Sequence, residues 1–175
     1  MNYSILIAGF GGQGVLSMGR MICYAASGIG LNATFFPSYG GEQRGGTCNC
    51  TVIISDEEIG TPVVQKADYI IIMNSPSYEK FKKSAVKGGR LFINTSQVSH
   101  VNENENKNAV CIKADDIAVK SGNKLASNMV MLGAFINNTD FISKEEMYNT
   151  IKKRMANKPE FLEINLKAFD DGCKG

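Results

Sequence analysis

The glycine spacing Gly9-x-Gly11-x-x-Gly14 near the start of the chain is typical of a turn that binds phosphate. It follows an apolar run at residues 4–8, which predicts a buried strand, and precedes an amphipathic pattern that predicts a helix. Backbone N–H groups at such a helix start attract anions. We therefore predict a turn that faces an anionic ligand or a partner surface, formed by Gly9, Gly11, Gly12, Gln13 and Gly14.

A nicotinamide dinucleotide would need one more feature, which the sequence lacks. An Asp or Glu about 20 residues further on, at the end of the second strand, would hold its ribose. Residues 35–38 read Phe-Phe-Pro-Ser there, and the nearest acid, Glu42, lies in the following loop. The sequence therefore disfavours NAD. Glycines that only permit close packing of a helix against a strand remain an alternative.

A second glycine-rich loop follows the second predicted strand, with four glycines among residues 37–46. Arg44 in this loop offers a planar fork of donors suited to phosphate or carboxylate, although a local ion pair with Glu42 is the alternative. If the first two strands are parallel, both loops lie at one edge of the sheet, where open α/β sheets bind ligands. The predicted site residues from this loop are Ser38, Tyr39, Gly40, Arg44, Gly45 and Gly46.

The elements that must position these loops alternate between strand and helix over the first two thirds of the chain. This order predicts an α/β fold over a single domain, residues 1–175, with a three-layer, Rossmann-like, mostly parallel sheet, helices on both faces and a helical C-terminal third. Pro37 is expected to stop the second strand, and Gly88-Gly89 to close a helix that begins at Pro76. Asn123 and Asn128 flank the start of a later helix, and capping or local backbone bonding is expected of both.

Composition narrows the classes of partner and location. The formal net charge is +2, from 19 basic and 17 acidic residues, so no nucleic-acid partner is predicted. No apolar run approaches the roughly 20 residues of a membrane span, so no membrane partner is predicted either. Five cysteines without a Cys-x-x-Cys pair indicate reduced thiols and a cytoplasmic protein, and leave any iron–sulfur cluster to another chain. No catalytic residue or metal ligand is predicted.

The two loops together resemble the gamma subunit of the 2-oxoacid:ferredoxin (acceptor) oxidoreductases. Residues 9–15 (GFGGQGV) and 37–47 (PSYGGEQRGGT) carry the resemblance, and residues 127–134 (SNMVMLGA) and 163–172 extend it over nearly the whole chain. Asn128, in the third of these stretches, is included among the predicted binding residues. Gly41, where the family often has proline, and Cys48, where a smaller residue is usual, are departures. The chain looks most like the separate gamma chain of a 2-oxoglutarate enzyme, with the pyruvate, branched-chain and indolepyruvate enzymes as alternatives.

The resemblance implies a role as a subunit. The whole enzyme would oxidatively decarboxylate a 2-oxoacid, reduce ferredoxin or flavodoxin, and form an acyl-coenzyme A. Thiamine diphosphate, Mg and iron–sulfur clusters would belong only to partners: alpha and beta (thiamine-binding) subunits and a ferredoxin-like delta subunit. This chain, inactive alone, would form the coenzyme A side of the active site and the subunit interface. An assembly-only subunit, a free-standing nucleotide-binding oxidoreductase and a homodimer of the isolated chain stay open.

Overall fold

The computed structural model of the chain contains one mixed sheet of six strands. The structure describes residues 1–39, 47–101 and 108–174, with the Tyr39 side chain left out. The strands are β1 (Asn2–Phe10), β2 (Asn32–Tyr39), β3 (Thr47–Ser55), β4 (Ala67–Ile72), β5 (Ala85–Asn94) and β6 (Val110–Ile112). Across the sheet the strands lie in the order β2-β3-β1-β4-β5-β6. β3 is antiparallel to both of its neighbours, and the other three strand pairs are parallel. All strands except β3 therefore end at one edge of the sheet, which we name the carboxyl edge.

Helices cover both faces of this sheet unequally. The face that bears Ile5, Ile7 and Val52 shares a core with most of the helices, whereas the short helix that contains Tyr78 packs on the opposite face, against β4 and β5. The helices are α1 (Val15–Gly28), α2 (Ser75–Phe81), α3 (Ala114–Ser121), α4 (Ser127–Asn137), α5 (Lys144–Arg154) and α6 (Pro159–Gly172), with a 3-10 turn at Lys124–Ala126 before α4. The predicted α/β fold with a helical C-terminal third is confirmed. In residues 1–39, 47–101 and 108–174, no helix combines the length and apolar character needed to cross a membrane.

Proline and glycine act differently from the prediction at two places. Pro37 lies within β2 instead of ending it. β2 is an edge strand, and edge strands tolerate proline because a missing N–H can face away from the ladder. Gly88 and Gly89 lie within β5 rather than at the end of α2. Gly88 has a φ of 86°, and a Cβ on Gly89 would lie 3.0 Å from the carbonyl oxygen of Asp68, so both glycines serve strand geometry.

Two glycines fix the position of α4, the helix that carries Asn128. A Cβ on Gly133 would collide with the carbonyl oxygen of Phe169 in α6, and a Cβ on Gly172 would collide with that of Val130 in α4. The two helix backbones therefore touch directly, and nearly every residue of α4 is buried. This contact positions α4, whose Asn128 lies against Gly14 at the start of α1.

Candidate functional site

The predicted glycine turn joins β1 to α1 at the carboxyl edge. Gly12 and Gly14 have φ values of 96° and 76°, a left-handed conformation that favours glycine. Gly14 is the N-cap of α1 and provides no side-chain cap, and the first turn, Val-Leu-Ser-Met, contains no acidic residue. Within the described parts of the chain, no acceptor meets the backbone N–H groups of Val15, Leu16 and Ser17. The positive end of α1 is therefore open to an anion.

A hydrogen bond between the partly buried Gln13 and the buried Asn74 holds this turn in shape. The Gln13 Oε1 accepts hydrogen bonds from the Phe10 backbone N–H and from Asn74 Nδ2, both at 2.7 Å. Asn74 is only 2% exposed, and its Oδ1 accepts from the Ser77 N–H at 3.0 Å, which caps α2. Gln13 therefore uses its amide oxygen to tie the turn to the β4–α2 connection. Sequence analysis missed Asn74, although Asn followed by Ser-Pro after a buried strand is a helix N-cap signal.

The four predicted glycines of the turn differ in their surroundings. A Cβ on Gly9 would lie 2.8 Å from both Gln13 Oε1 and Val15 Cγ2, and 2.9 Å from Met73 Cβ, so packing alone requires glycine there. Around Gly11 and Gly12, by contrast, nothing described lies within 4 Å of such an atom. Gly9 thus fulfils the packing alternative left open by the sequence, and the space beside Gly11 and Gly12 is where a ligand or partner can approach.

Asn128 is the predicted residue that the structure brings directly to the turn. A Cβ on Gly14 would collide with the Asn128 carboxamide and lie 2.9 Å from Asn128 Cβ. The Asn128 side chain is 8% exposed, and across the described ranges its carboxamide has no hydrogen-bond partner. Asn123 caps the turn before α4 by accepting from the Leu125 N–H at 2.9 Å, as predicted. The same local capping was expected of Asn128, and among the described residues its side chain makes no such bond. A buried amide with free hydrogen-bonding capacity therefore stands beside the open end of α1.

The second predicted loop begins and ends at the same edge. Phe10 pairs with Thr47, and Tyr39 pairs with Cys48, so the end of β2 and the start of β3 lie at the edge where β1 leads into the glycine turn, as predicted from parallel first and second strands. Because side chains alternate along β2, Ser38 lies on the face opposite α1 and is not brought to Asn128. Gly40, Arg44, Gly45 and Gly46 lie outside the described residues.

The thiols near this edge, those of Cys48 and Cys50, are buried. Cys48 and Cys50 share the face of β3 that packs against α1. Burial, followed by the nearby thiols of Cys48 and Cys23, raises the pKa of Cys50 to about 12. Burial also raises the pKa of Cys48. Since a thiolate is the reactive form, these cysteines pack as apolar groups. In the described ranges, no three His, Cys, Asp or Glu residues are grouped to hold a metal ion.

Comparison with known proteins places the chain in a family. The sequence pattern of the family described as "Pyruvate ferredoxin/flavodoxin oxidoreductase" matches residues 4–175. The ketoisovalerate oxidoreductase subunit VorA of Methanothermobacter marburgensis is 36% identical over 97% of this chain, but the chain spans only 35% of that relative's length. The 2-oxoglutarate synthase subunit KorC of the same organism is 36% identical, with 98% of this chain and 95% of the relative covered.

Two solved structures share the fold over nearly its whole extent. The keto/oxoacid ferredoxin oxidoreductase gamma subunit from Geobacter sulfurreducens superimposes with a TM-score of 0.87 at 28% identity, covering 99% of this chain and 95% of that one. The 2-oxoglutarate:ferredoxin oxidoreductase from Magnetococcus marinus, solved with 2-oxoglutarate, coenzyme A and succinyl-CoA bound, gives a TM-score of 0.88 at 25% identity, covering 99% of this chain and 30% of that one. The resemblance seen in the sequence is confirmed: the chain belongs to the pyruvate ferredoxin/flavodoxin oxidoreductase family and forms its gamma-subunit-like domain.

Proposed function

We propose that this chain is the gamma-type subunit of a 2-oxoacid:ferredoxin oxidoreductase and forms the coenzyme A side of its active site. The assembled enzyme oxidatively decarboxylates a 2-oxoacid to an acyl-CoA and reduces ferredoxin or flavodoxin. 2-Oxoglutarate is the first-choice substrate, because the match to the 2-oxoglutarate synthase subunit runs the full length of both chains. The 36% identity to the ketoisovalerate subunit makes a branched-chain 2-oxoacid the second candidate.

The open start of α1 beside Asn128 is the observation that carries the coenzyme A role. Coenzyme A presents phosphate groups, and the unpaired N–H groups of Val15, Leu16 and Ser17 are donors at the positive end of a helix. The Asn128 carboxamide adds side-chain donors within contact of Gly14. The pair of Gln13 and Asn74 keeps these donors oriented before the ligand arrives, which lowers the entropic cost of binding. Arg44, predicted from the sequence, would add a cation.

Partner subunits complete the proposed enzyme. Thiamine diphosphate with Mg, on the alpha and beta subunits, supplies the carbanion-stabilising chemistry of decarboxylation, and the iron–sulfur clusters of a ferredoxin-like subunit carry the electrons. The Cys48 and Cys50 thiols of this chain pack in the core against α1, and burial raises the pKa of both. What its own residues contribute is therefore binding: the turn holds phosphate and orients coenzyme A towards chemistry that takes place on the partner.

The first test replaces Asn128 by Ala in the enzyme reconstituted from all its subunits. A hydrogen bond to a charged group contributes roughly 1.5–3 kcal/mol, so we expect the KM for coenzyme A to rise at least about tenfold. The KM for the 2-oxoacid should stay within about twofold of the value for the unmodified enzyme, because Asn128 would touch only the phosphate. The subunits should assemble as they do in the unmodified enzyme. Asn149→Ala, an exposed amide on α5, is the matched control and should leave every constant unchanged.

Other outcomes separate the alternatives. An unchanged KM for coenzyme A in an intact complex would favour the assembly-only subunit. Heat released when NAD(P) or a flavin is titrated into the isolated chain would favour the free-standing oxidoreductase. Comparing 2-oxoglutarate with branched-chain 2-oxoacids as reductants of the electron acceptor would identify the substrate.

A further inference from the structure

Arg20 is an exposed cation on α1 that no carboxylate neutralises within the described residues. Its Cζ lies 5.6 Å from the centre of the Phe35 ring, and that ring packs closely on α1, since its Cε2 lies 2.9 Å from where a Cβ on Gly19 would be. In residues 1–39, 47–101 and 108–174, the Arg20 guanidinium makes neither an ion pair nor a hydrogen bond. Its five N–H donors are therefore available to a ligand.

This cation belongs to the same helix as the open first turn. Ser17 and Arg20 are three residues apart, so they are neighbours on one face of α1, with Cβ atoms about 5–6 Å from each other. Side chains on a helix lean towards its N-terminus, so the long Arg20 side chain is directed towards the first turn. The unpaired N–H groups of that turn and the free guanidinium therefore form two adjacent donor sites.

Two adjacent donor sites suit a ligand that has two separate anionic groups on one sugar. Coenzyme A is such a ligand, with a diphosphate on the 5′ side of its ribose and a phosphate monoester on the 3′ side. The diphosphate continues as a chain in both directions, and the open space beside Gly11 and Gly12 leaves room for that chain. The monoester is terminal and carries roughly 1.5–2 negative charges at pH 7, which the planar fork of an arginine matches with two parallel hydrogen bonds.

We propose that Arg20 binds the 3′-phosphate of coenzyme A and makes this subunit selective for coenzyme A over its form without that phosphate. The proposal rests on the proposed function, because it requires the diphosphate to occupy the open start of α1. A diphosphate held there by backbone N–H groups places the ribose beside the first turn, within reach of the Arg20 side chain. The turn then supplies affinity for the diphosphate, and Arg20 supplies the discrimination between the two coenzymes.

The test compares coenzyme A with dephospho-coenzyme A as substrates of the enzyme reconstituted from all its subunits. We expect the KM of the unmodified enzyme to be at least about tenfold lower for coenzyme A, because the contact with the 3′-phosphate is a charge-assisted hydrogen bond. Arg20→Gln should raise the KM for coenzyme A about tenfold and leave the KM for dephospho-coenzyme A within about twofold of its unmodified value. A general folding defect would change both KM values together.

Arg154→Gln is the matched control, because Arg154 is also exposed and also lies over an aromatic ring. Its Cζ is 3.2 Å from the centre of the ring of Tyr24, which lies in the C-terminal half of α1, away from the open first turn. Both KM values and their ratio should stay within about twofold in this variant. Circular dichroism and thermal unfolding establish that both variants fold. An unchanged KM ratio in Arg20→Gln, or the same change in both variants, overturns the proposal.

Calorimetric titration of the assembled complex gives a second readout that does not depend on turnover. Adenosine 3′,5′-bisphosphate should bind the unmodified complex at least about tenfold more tightly than AMP, and the Arg20→Gln complex at most about twofold more tightly. Equal affinities for the two nucleotides in the unmodified complex overturn the proposal.

The two proposals fail in distinguishable ways. If Asn128→Ala raises the KM for coenzyme A while Arg20→Gln keeps the full selectivity, the proposed function stands and only the role of Arg20 is wrong. If neither variant changes the KM for coenzyme A, the proposed function fails and the role of Arg20 fails with it.

Discussion

Helices α1 and α3 both begin at the carboxyl edge and both follow a strand, yet their first turns differ in whether the backbone N–H groups have hydrogen-bond acceptors. At α3, Asn94 Oδ1 accepts from the N–H groups of Ser96 and Ala114, at 3.1 and 3.2 Å. The Ser96 hydroxyl accepts from the Asp115 and Asp116 N–H groups, at 3.2 and 3.4 Å. At α1, no described acceptor meets the first-turn amides and Gly14 provides no cap. One helix start is closed by its own chain and the other is left open.

Acidic side chains also distinguish the two helix starts. Asp115 and Asp116 place carboxylates in the first turn of α3, where they offset the positive end of the helix. The buried Asp115 carboxylate accepts from Asn94 Nδ2 at 2.9 Å and from Gln97 Nε2, with Lys124 Nζ 4.0 Å away. The first turn of α1 has no such acid. The start of α3 is therefore capped and neutralised by its own chain. The start of α1, where a ligand is proposed to bind, keeps the positive electrostatic field of a helix N-terminus.

Asn94→Ala should break the closed side of this comparison and give the largest effect. Asn94 is fully buried, and its removal leaves one oxygen of Asp115 and two backbone N–H groups without their partner. Each buried polar group left unpaired costs about 1–3 kcal/mol, so we expect the free energy of unfolding to fall by about 3 kcal/mol in urea denaturation. The KM for coenzyme A should not change, because α3 takes no part in the proposed site. A loss below about 1 kcal/mol would show that the network at α3 contributes little.

Gly14→Ala should destabilise the turn before α1 through backbone strain and a steric collision. A φ of 76° costs an alanine roughly 1 kcal/mol, and collision with Asn128 adds about as much again, so unfolding should become easier by about 2 kcal/mol. The double variant Gly14→Ala/Asn128→Gly isolates the collision, because glycine at position 128 removes both the carboxamide and the Cβ that an alanine at position 14 would meet. If Asn128 contacts Gly14 as described, alanine at position 14 should cost only about 1 kcal/mol in that background, measured by a double-mutant cycle. Equal costs in the two backgrounds would contradict the contact.

Local chemistry made part of this comparison predictable from the sequence. The turn from Gly9 to Gly14 was evident because glycine spacing, a preceding apolar run and a following helical pattern lie within one short stretch. The capping box of α5 was also predictable: Ser143 N–H donates to Glu146 Oε2 at 2.8 Å and Glu146 N–H donates to Ser143 Oγ at 3.2 Å, three residues apart. Signals of this kind depend on neighbours in sequence, so periodicity and residue type are sufficient to find them.

Contacts between residues far apart in the sequence could not be predicted from local periodicity and residue type. Gln13 and Asn74 are 61 positions apart, and their hydrogen bond depends on β4 lying beside β1. The insertion of β3 between β1 and β2, antiparallel to both, likewise follows from pairing that alternation within one strand does not specify. Asn128 entered the predicted site through family resemblance, and its contact with Gly14 depends on the close α4–α6 packing at Gly133 and Gly172. The hydrogen bond, the strand order and the Asn128–Gly14 contact therefore all depend on tertiary packing.

Ser17→Asp should sharpen the comparison with the smallest effect, because it gives α1 the first-turn carboxylate that α3 already has. Ser17 is exposed and is the third residue of the helix, so the carboxylate should stabilise α1 by about 0.5 kcal/mol. The same charge should repel a phosphate at the turn and raise the KM for coenzyme A about threefold at low salt, less at high salt. Stability and affinity should thus change in opposite directions, which damage to the fold cannot produce. Ser17→Asn, which is similar in shape to the Asp variant but neutral, should change neither the stability nor the KM for coenzyme A. Equal KM values for the two variants would place the phosphate away from this helix.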